Sequence, residues 1–133
     1  MTQWHRKSNR TSTGGKRHSD KRRDKRLTEK GGNPSMTQVD ENTDKRVSIK
    51  GRGHTSKVQQ RLAKYANVTD SKTKKTHKLE IVRVLKNTAN RQYARTNIIT
   101  KGAEIEIKDK SGVKTAVVTS KPGQSGIVSA VFK

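Results

Sequence analysis

A chain of 133 residues with 32 Lys and Arg against 11 acids, net charge +21, suits one domain and a tail. Self-repulsion of that size is relieved by a polyanion, which puts nucleic acid first among partners. The lack of cysteine excludes disulfides and cysteine-based metal sites. No apolar run approaches the length of about 18 residues that spans a bilayer, and the first residues lack the apolar core of a signal peptide. The expectation is a cytoplasmic protein with no membrane partner.

Charge and apolar residues both divide the chain. Residues 1–26 hold ten basic and two acidic side chains, net +8; residues 27–44 hold one and four, net −3; residues 45–133 hold 21 and five, net +16. Five hydrophobic residues fall in 1–44 and thirty in 45–133. Five cannot offset an ordering cost of about 1–2 kcal/mol per residue, whereas thirty can build a small core, mostly aliphatic because aromatics are 3%. Residues 1–44 are therefore expected to be a basic arm and linker, disordered when free and ordered on RNA. Residues 45–133 are the expected globular domain, itself a polyanion binder.

The arm presents Arg6, Lys7, Arg10, Lys16, Arg17, Arg22, Arg23 and Arg26 with no apolar periodicity. Trp4 either stacks on a base or tucks against the domain, and Gly14-Gly15 either passes close to a phosphate or simply turns. Leu27 would end a short helix running from about Asp20. Gly31-Gly32-Asn33-Pro34-Ser35 with Asp40, Glu41 and Asp44 reads as a linker whose acids are solvated counter-charges rather than a metal site.

Residues 45–50 alternate, with Val47 and Ile49 on one side, which predicts a half-buried strand. Gly51-Arg52-Gly53-His54 is a glycine-flanked basic loop. Residues 57–69 offer helical spacing at Val58, Leu62, Tyr65 and Ala66, but the polar turn Thr69–His77 and the β-branched run Leu79–Leu85 favour a hairpin, so 57–69 is read as mostly strand. Arg61 and Lys64 lie on it. Residues 103–107 alternate cleanly, Asp109–Gly112 is a turn, and Val113–Val118 and Ile127–Phe132 are the last strands. Pro122-Gly123 after Lys121 fits the centre of a type II turn, with Gly123 at positive φ.

Residues 87–102 change character halfway. Asn87 or Thr88 would cap a short helix with Ala89, Tyr93 and Ala94 on one face and Arg91 and Arg95 on another. Ile98-Ile99-Thr100 then reads as a strand, punctuated by Gly102. Tyr93 would anchor the helix inward while Arg91, Arg95, Asn90, Asn97 and Lys101 meet phosphate and base edges. The tally is an all-β fold: a small closed β-barrel of about six strands with one short helix, preceded by the extended arm.

Asn90-Arg91, Tyr93, Arg95 and Asn97-Ile98-Ile99-Thr100-Lys101-Gly102 closely resemble a signature of the archaeal–eukaryotic type of small-subunit ribosomal protein eight, in its archaeal branch. Tyr65-Ala66-Asn67-Val68-Thr69-Asp70 and Thr119-Ser120-Lys121-Pro122-Gly123-Gln124 support it, as does a Trp followed by a basic run and Thr-Gly-Gly-basic. The family usually has Gly where Arg6 stands, Lys-Pro for Thr11-Ser12, and Pro and Gly at Ser71 and Lys74. The resemblance implies a closed barrel and a structural role on small-subunit rRNA beside neighbouring ribosomal proteins, in the cytoplasm.

Catalysis finds no support. No nucleophile elbow, phosphate-binding Walker loop or zinc-protease motif is present, and His5, His18, His54 and His77 lack metal-ligand spacing. Glu104 and Glu106 share an ordinary solvated strand face. No cofactor, metal or small-molecule substrate is expected, and the protein is not expected to be an enzyme. RNA binding would run through the arm, Trp4 included, with Arg52, Arg61, Lys64, Asn90, Arg91, Arg95, Asn97, Lys101 and Lys121. The rival readings are a free-standing nucleic-acid binder of chromatin or chaperone type and an RNA-processing enzyme.

Overall fold

The computed structural model describes residues 3–5, 7–18, 26–51, 53–109 and 112–133. Its strands are β1 (Gln38–Val39), β2 (Lys45–Lys50), β3 (Ser56–Ala63), β4 (Tyr65–Thr69), β5 (Thr76–Lys86), β6 (Glu104–Asp109), β7 (Gly112–Val118) and β8 (Ser129–Phe132). Two short helices, α1 (Arg91–Arg95) and α2 (Pro122–Ser125), interrupt them. Contacts divide the chain into two units, Met1–Pro34 and Ser35–Lys133.

In the second unit β4-β5-β6-β7-β8 form a closed barrel, sealed by parallel pairing of β4 with β8 through Asn67, Val68 and Thr69. Closure leaves no edge among these five strands. The expected barrel is present with five strands rather than about six. The stretch 57–69 is not one strand: it breaks at Lys64, so that β3 pairs with β2 while β4 pairs with β5 and β8. Ala63 and Ala66 are both buried although they are three apart, so the side of the chain that faces inward changes at the break, and a local pattern does not show a change of partner.

The lumen is aliphatic. Ala66 and Val68, Ile81 and Val84, Ile105 and Ile107, Ala116 and Val118, and Ala130 all point inward and are buried. Alanines against isoleucines fit the narrow interior of so small a barrel. β5 needs a correction of its own to take part. Strict alternation from Ile81 would send Arg83 inward and Val84 outward. The register is irregular between Ile81 and Arg83 and again between Val84 and Lys86. The first irregularity turns Val84 in, opposite Ile105, and leaves Arg83 outside opposite Glu106. Arg83 Nε and Nη2 then donate to Glu106 at 2.7 and 3.1 Å. That pairing holds the Glu106 carboxyl below its ordinary range and raises the guanidinium, so Arg83 is already neutralised.

The remaining strands form a second sheet in the order β1-β3-β2. β2 is its edge, paired with β3 alone, which is why only Val47 is even half-buried and Ile49 is exposed, not half-buried as alternation predicts. Residues 35–44, expected as linker, are built into this unit. Thr37 is buried, its hydroxyl donates to the Gln60 carbonyl at 2.6 Å, and its own carbonyl accepts the Ile99 N–H at 2.8 Å. Asp40 accepts from the Asn42 amide and the Thr43 hydroxyl, which lowers its pKa, and Asp44 accepts from Gln60 and Arg46. These acids serve the local chain.

The Lys121–Gly126 segment is a helical turn and not a type II turn. Gly126 takes the left-handed conformation at φ +68 and its N–H bonds the Pro122 carbonyl at 3.1 Å; Gly123 does not have positive φ. What Gly123 supplies is room, because a Cβ there would lie 2.9 Å from Ser35 Cβ. Between β4 and β5, Lys74 stands where the resemblance implies Gly and itself adopts φ +55. The turn keeps the geometry that a glycine prefers, at a cost of about 1–2 kcal/mol.

The first unit is held by backbone hydrogen bonds without a core, none of its described residues being buried. Residues 3–5 run beside 29–31, with the His5 N–H on the Glu29 carbonyl and the Gly31 N–H on the Gln3 carbonyl, both 2.7 Å. A tight turn at Thr11–Gly15 uses Gly14 at φ +85. Leu27 begins a 3-10 turn, Leu27–Glu29, rather than ending a helix; most of the helix expected from Asp20 lies outside the described residues.

Candidate RNA-binding surface

Antiparallel order in the barrel brings together segments that are far apart in sequence. β4 begins, β5 ends, β6 begins, β7 ends and β8 begins at one rim. Lys64 precedes β4, α1 and Lys101 lie between β5 and β6, and Lys121 follows β7, so these expected contacts share that rim. From Lys86 to Ala103 the chain carries Lys86, Arg91, Arg95 and Lys101 and no acid. Arg91, Arg95, Lys101 and Lys121 are exposed, and no carboxylate pairs with them among the described residues. Four fixed cations without a counter-charge make a surface suited to phosphate.

The asparagines divide the labour differently from expectation. The helix cap is Asn90, not Asn87 or Thr88: its Oδ1 accepts the Gln92 N–H at 2.9 Å. Asn87 is buried and ties both ends of the loop. Its Nδ2 donates to the Ile98 carbonyl at 3.0 Å, and its Oδ1 accepts from the Ala89 N–H at 3.0 Å and the Thr100 hydroxyl at 2.9 Å. Asn97 sits at φ +52, with its Oδ1 on the Val84 N–H at 3.2 Å and its carbonyl on the Val39 N–H at 3.0 Å. Its acceptor is thus engaged with β5 rather than free for a base edge. Ile98–Thr100 forms no strand; a single bridge from Ile98 to Gln38 and the Ile99–Thr37 bond hold it. Ala94 packs against the core and Tyr93 is half-buried, and Ala89 is exposed because the helix starts only at Arg91.

Arg61 donates through Nη1 to the Ser35 carbonyl at 2.9 Å, and Ser35 also abuts Gly123, so Arg61 and the α2 turn are neighbours. Lys64 lies 3.8 Å from Glu80. In the first unit Lys7, Arg10, Lys16, Arg17 and Arg26 are exposed and Trp4 is half-buried. Arg6, Arg22, Arg23 and Arg52 lie outside the described residues. Among the described residues no three His, Asp or Glu side chains gather as metal ligands, and no helix is long and apolar enough to cross a membrane.

The opposite rim carries basic residues that no local pattern marks as a site. There an open cleft of about 520 Å³ is lined by Asp70, Lys72, Lys114, Thr115, Phe132 and Lys133. The run Lys72, Lys74, Lys75 in the β4–β5 turn was the available signal, but Lys114 and Lys133 join it only through β-pairing. Asp109 and Glu104 take up those two lysines at 2.6 and 3.0 Å, so both lysines that the last strands bring to the cleft are paired.

The two faces of α1 set an expected outcome. Arg91→Ala should weaken RNA binding several-fold with unchanged urea unfolding. Tyr93→Ala should lower stability, by less than the ~3–5 kcal/mol of a fully buried aromatic, since the ring is half-buried. Reversed outcomes in a filter-binding and urea-titration pair would mean that the helix presents the other face.

Comparison with known proteins gives a match to the family model for ribosomal protein S8e over residues 4–132. The chain belongs to the ribosomal protein S8e family. Relatives are similar over most of their length. The small ribosomal subunit protein eS8 of Hyperthermus butylicus is 46% identical over 99 residues, covering 74% of this chain and 69% of that protein. Those of Sulfolobus acidocaldarius and Methanococcus maripaludis (strain C6) are each 40% identical, over 134 and 132 residues, with 99% of this chain and 98% of each relative covered. The expected resemblance, archaeal branch included, therefore holds, and the S8e match reaches from Trp4 in the first unit to the last barrel strand.

Proposed function

We propose that this protein is a structural constituent of the small ribosomal subunit that binds and stabilises small-subunit rRNA. The acid-free run from Lys86 to Ala103 on the barrel rim carries this reading, and membership of the S8e family supports it. Arg91, Arg95, Lys101 and Lys121, with Lys64 and Arg61 beside them, neutralise phosphates and release counterions. The rim is held rigid by Asn87 and Asn97, so its cations read the spacing of phosphates as well as their charge. The basic arm, Arg6, Arg22 and Arg23 included, orders on the same RNA and threads between its helices, and Arg52 of the globular domain adds a further contact. The work is binding and not turnover, in the cytoplasm, beside neighbouring small-subunit proteins. The relatives' names, small ribosomal subunit protein eS8, point the same way.

Tagged protein expressed in an archaeal cell should co-sediment with small ribosomal subunits through a sucrose gradient and stay bound after a moderate salt wash. Recovery at the top of the gradient, or on chromosomal DNA, would make a free-standing nucleic-acid binder the better account.

A further inference from the structure

Trp4, Tyr65, Tyr93 and Phe132 are all half-buried, the buried hydrophobic set is aliphatic, and of the four rings only Phe132 packs against it. Aromatic rings ordinarily dominate small cores, so the rings that this barrel keeps outside its core are available elsewhere. Tyr65 is the clearest case. It opens β4 at the cationic rim, and the inward positions of that strand are Ala66 and Val68, so its ring lies on the outer wall. Two ammonium groups flank it, Lys78 Nζ at 4.4 Å and Lys64 Nζ at 5.4 Å from the ring centroid. Lys64 is shared with Glu80, but Lys78 has no carboxylate partner among the described residues and is 4.4 Å from the ring alone.

We infer that the Tyr65 ring, between Lys64 and Lys78, is a stacking platform for one unpaired base of the bound RNA. The platform rests on the RNA-binding reading above and adds the class of nucleotide it takes. In the free protein the lysines cover the ring by cation–π contact. When RNA arrives, Lys78 exchanges the ring for a phosphate, and the exposed face takes the adjacent base. Stacking is indifferent to base identity, because every base has a π-face. The surface therefore prefers a splayed single-stranded nucleotide to a duplex, whose bases are hidden. No hydrogen bond of the phenol is required, so the ring and not the hydroxyl carries the effect.

The test uses the full chain at about 200 mM salt with two RNA probes, a short single strand and the same strand with abasic positions. The wild-type chain should prefer the intact strand. Tyr65→Leu should reduce that preference by about tenfold, within the range for loss of one stacked base, and leave abasic binding unchanged; Tyr65→Phe should keep it. Aromatic proton resonances of Tyr65 in the wild-type chain should move upfield with the intact strand and not with the abasic one, which needs no variant to fold. Tyr65 resonances that respond alike to both strands, or an intact-strand preference untouched by Tyr65→Leu, would overturn the platform while leaving RNA binding in place. Failure of the wild-type chain to bind either strand or small-subunit RNA would overturn the proposed function as well.

Discussion

Raising salt fourfold, from about 50 to about 200 mM, is expected to weaken binding of the full chain to a small-subunit RNA fragment by about a thousandfold or more. Net charge is +21 overall and +16 over residues 45–133. On the proposed docking face, the exposed, unpaired cations Arg91, Arg95, Lys101 and Lys121 with their neighbours would supply roughly eight phosphate contacts, each contributing a slope of about 0.7–0.9. Arg83, Lys114 and Lys133 are left out of that count because Glu106, Asp109 and Glu104 pair with them. A weakening below about thirtyfold would mean that the rim is not the docking face. Salt dependence alone is what any polycation gives. The discriminating arm is competition at about 200 mM salt, where a small-subunit RNA fragment should outcompete random duplex of equal length. Equal competition would favour a free-standing binder.

Asn87→Ala is expected to cost about 2–4 kcal/mol in urea unfolding, the largest single effect of any polar substitution in the rim. Asn87 is 6% exposed and makes three hydrogen bonds that join the exit of β5 to the return of the chain at Ile98 and Thr100. Truncation strands the buried Ile98 carbonyl, and a buried, unpaired group costs about 1–3 kcal/mol; it also removes the part-buried bonds to the Ala89 amide and the Thr100 hydroxyl. Asn90→Ala, by contrast, removes only the cap of α1, worth about 1 kcal/mol. Equal losses for the two variants would refute this division of roles. Because Asn87 holds the loop that presents Arg91, Arg95 and Lys101, its loss should also weaken RNA binding, whereas Arg91→Ala weakens binding alone.

Several features of this molecule were legible in the residues themselves. Charge segregation, the aliphatic core, the period-two alternation of 103–107 and the apolar runs 116–118 and 127–132 depend on composition and on neighbours one or two positions away, so the sequence alone determined an all-β domain behind a basic arm. The signature from Asn90 to Gly102 likewise marked the rim, though not how it is built. Asn87, Asn90 and Asn97 are alike in type, and each could cap, buttress or face a ligand. Only the packed fold decides which carbonyl or amide each one meets. The break at Lys64 and the two register shifts of β5 were hidden for a related reason. A strand's partner is chosen by contacts with chain far away, and a bulge reverses the parity of every residue after it. Thus tertiary structure put Arg83 outside and Val84 in, made Gly126 rather than Gly123 the left-handed residue, and left Tyr65 between two lysines on the wall. Antiparallel closure did the rest: it carried Lys64, α1, Lys101 and Lys121 to one rim, a convergence that no local pattern encodes, because it is a property of how strand ends alternate around a barrel.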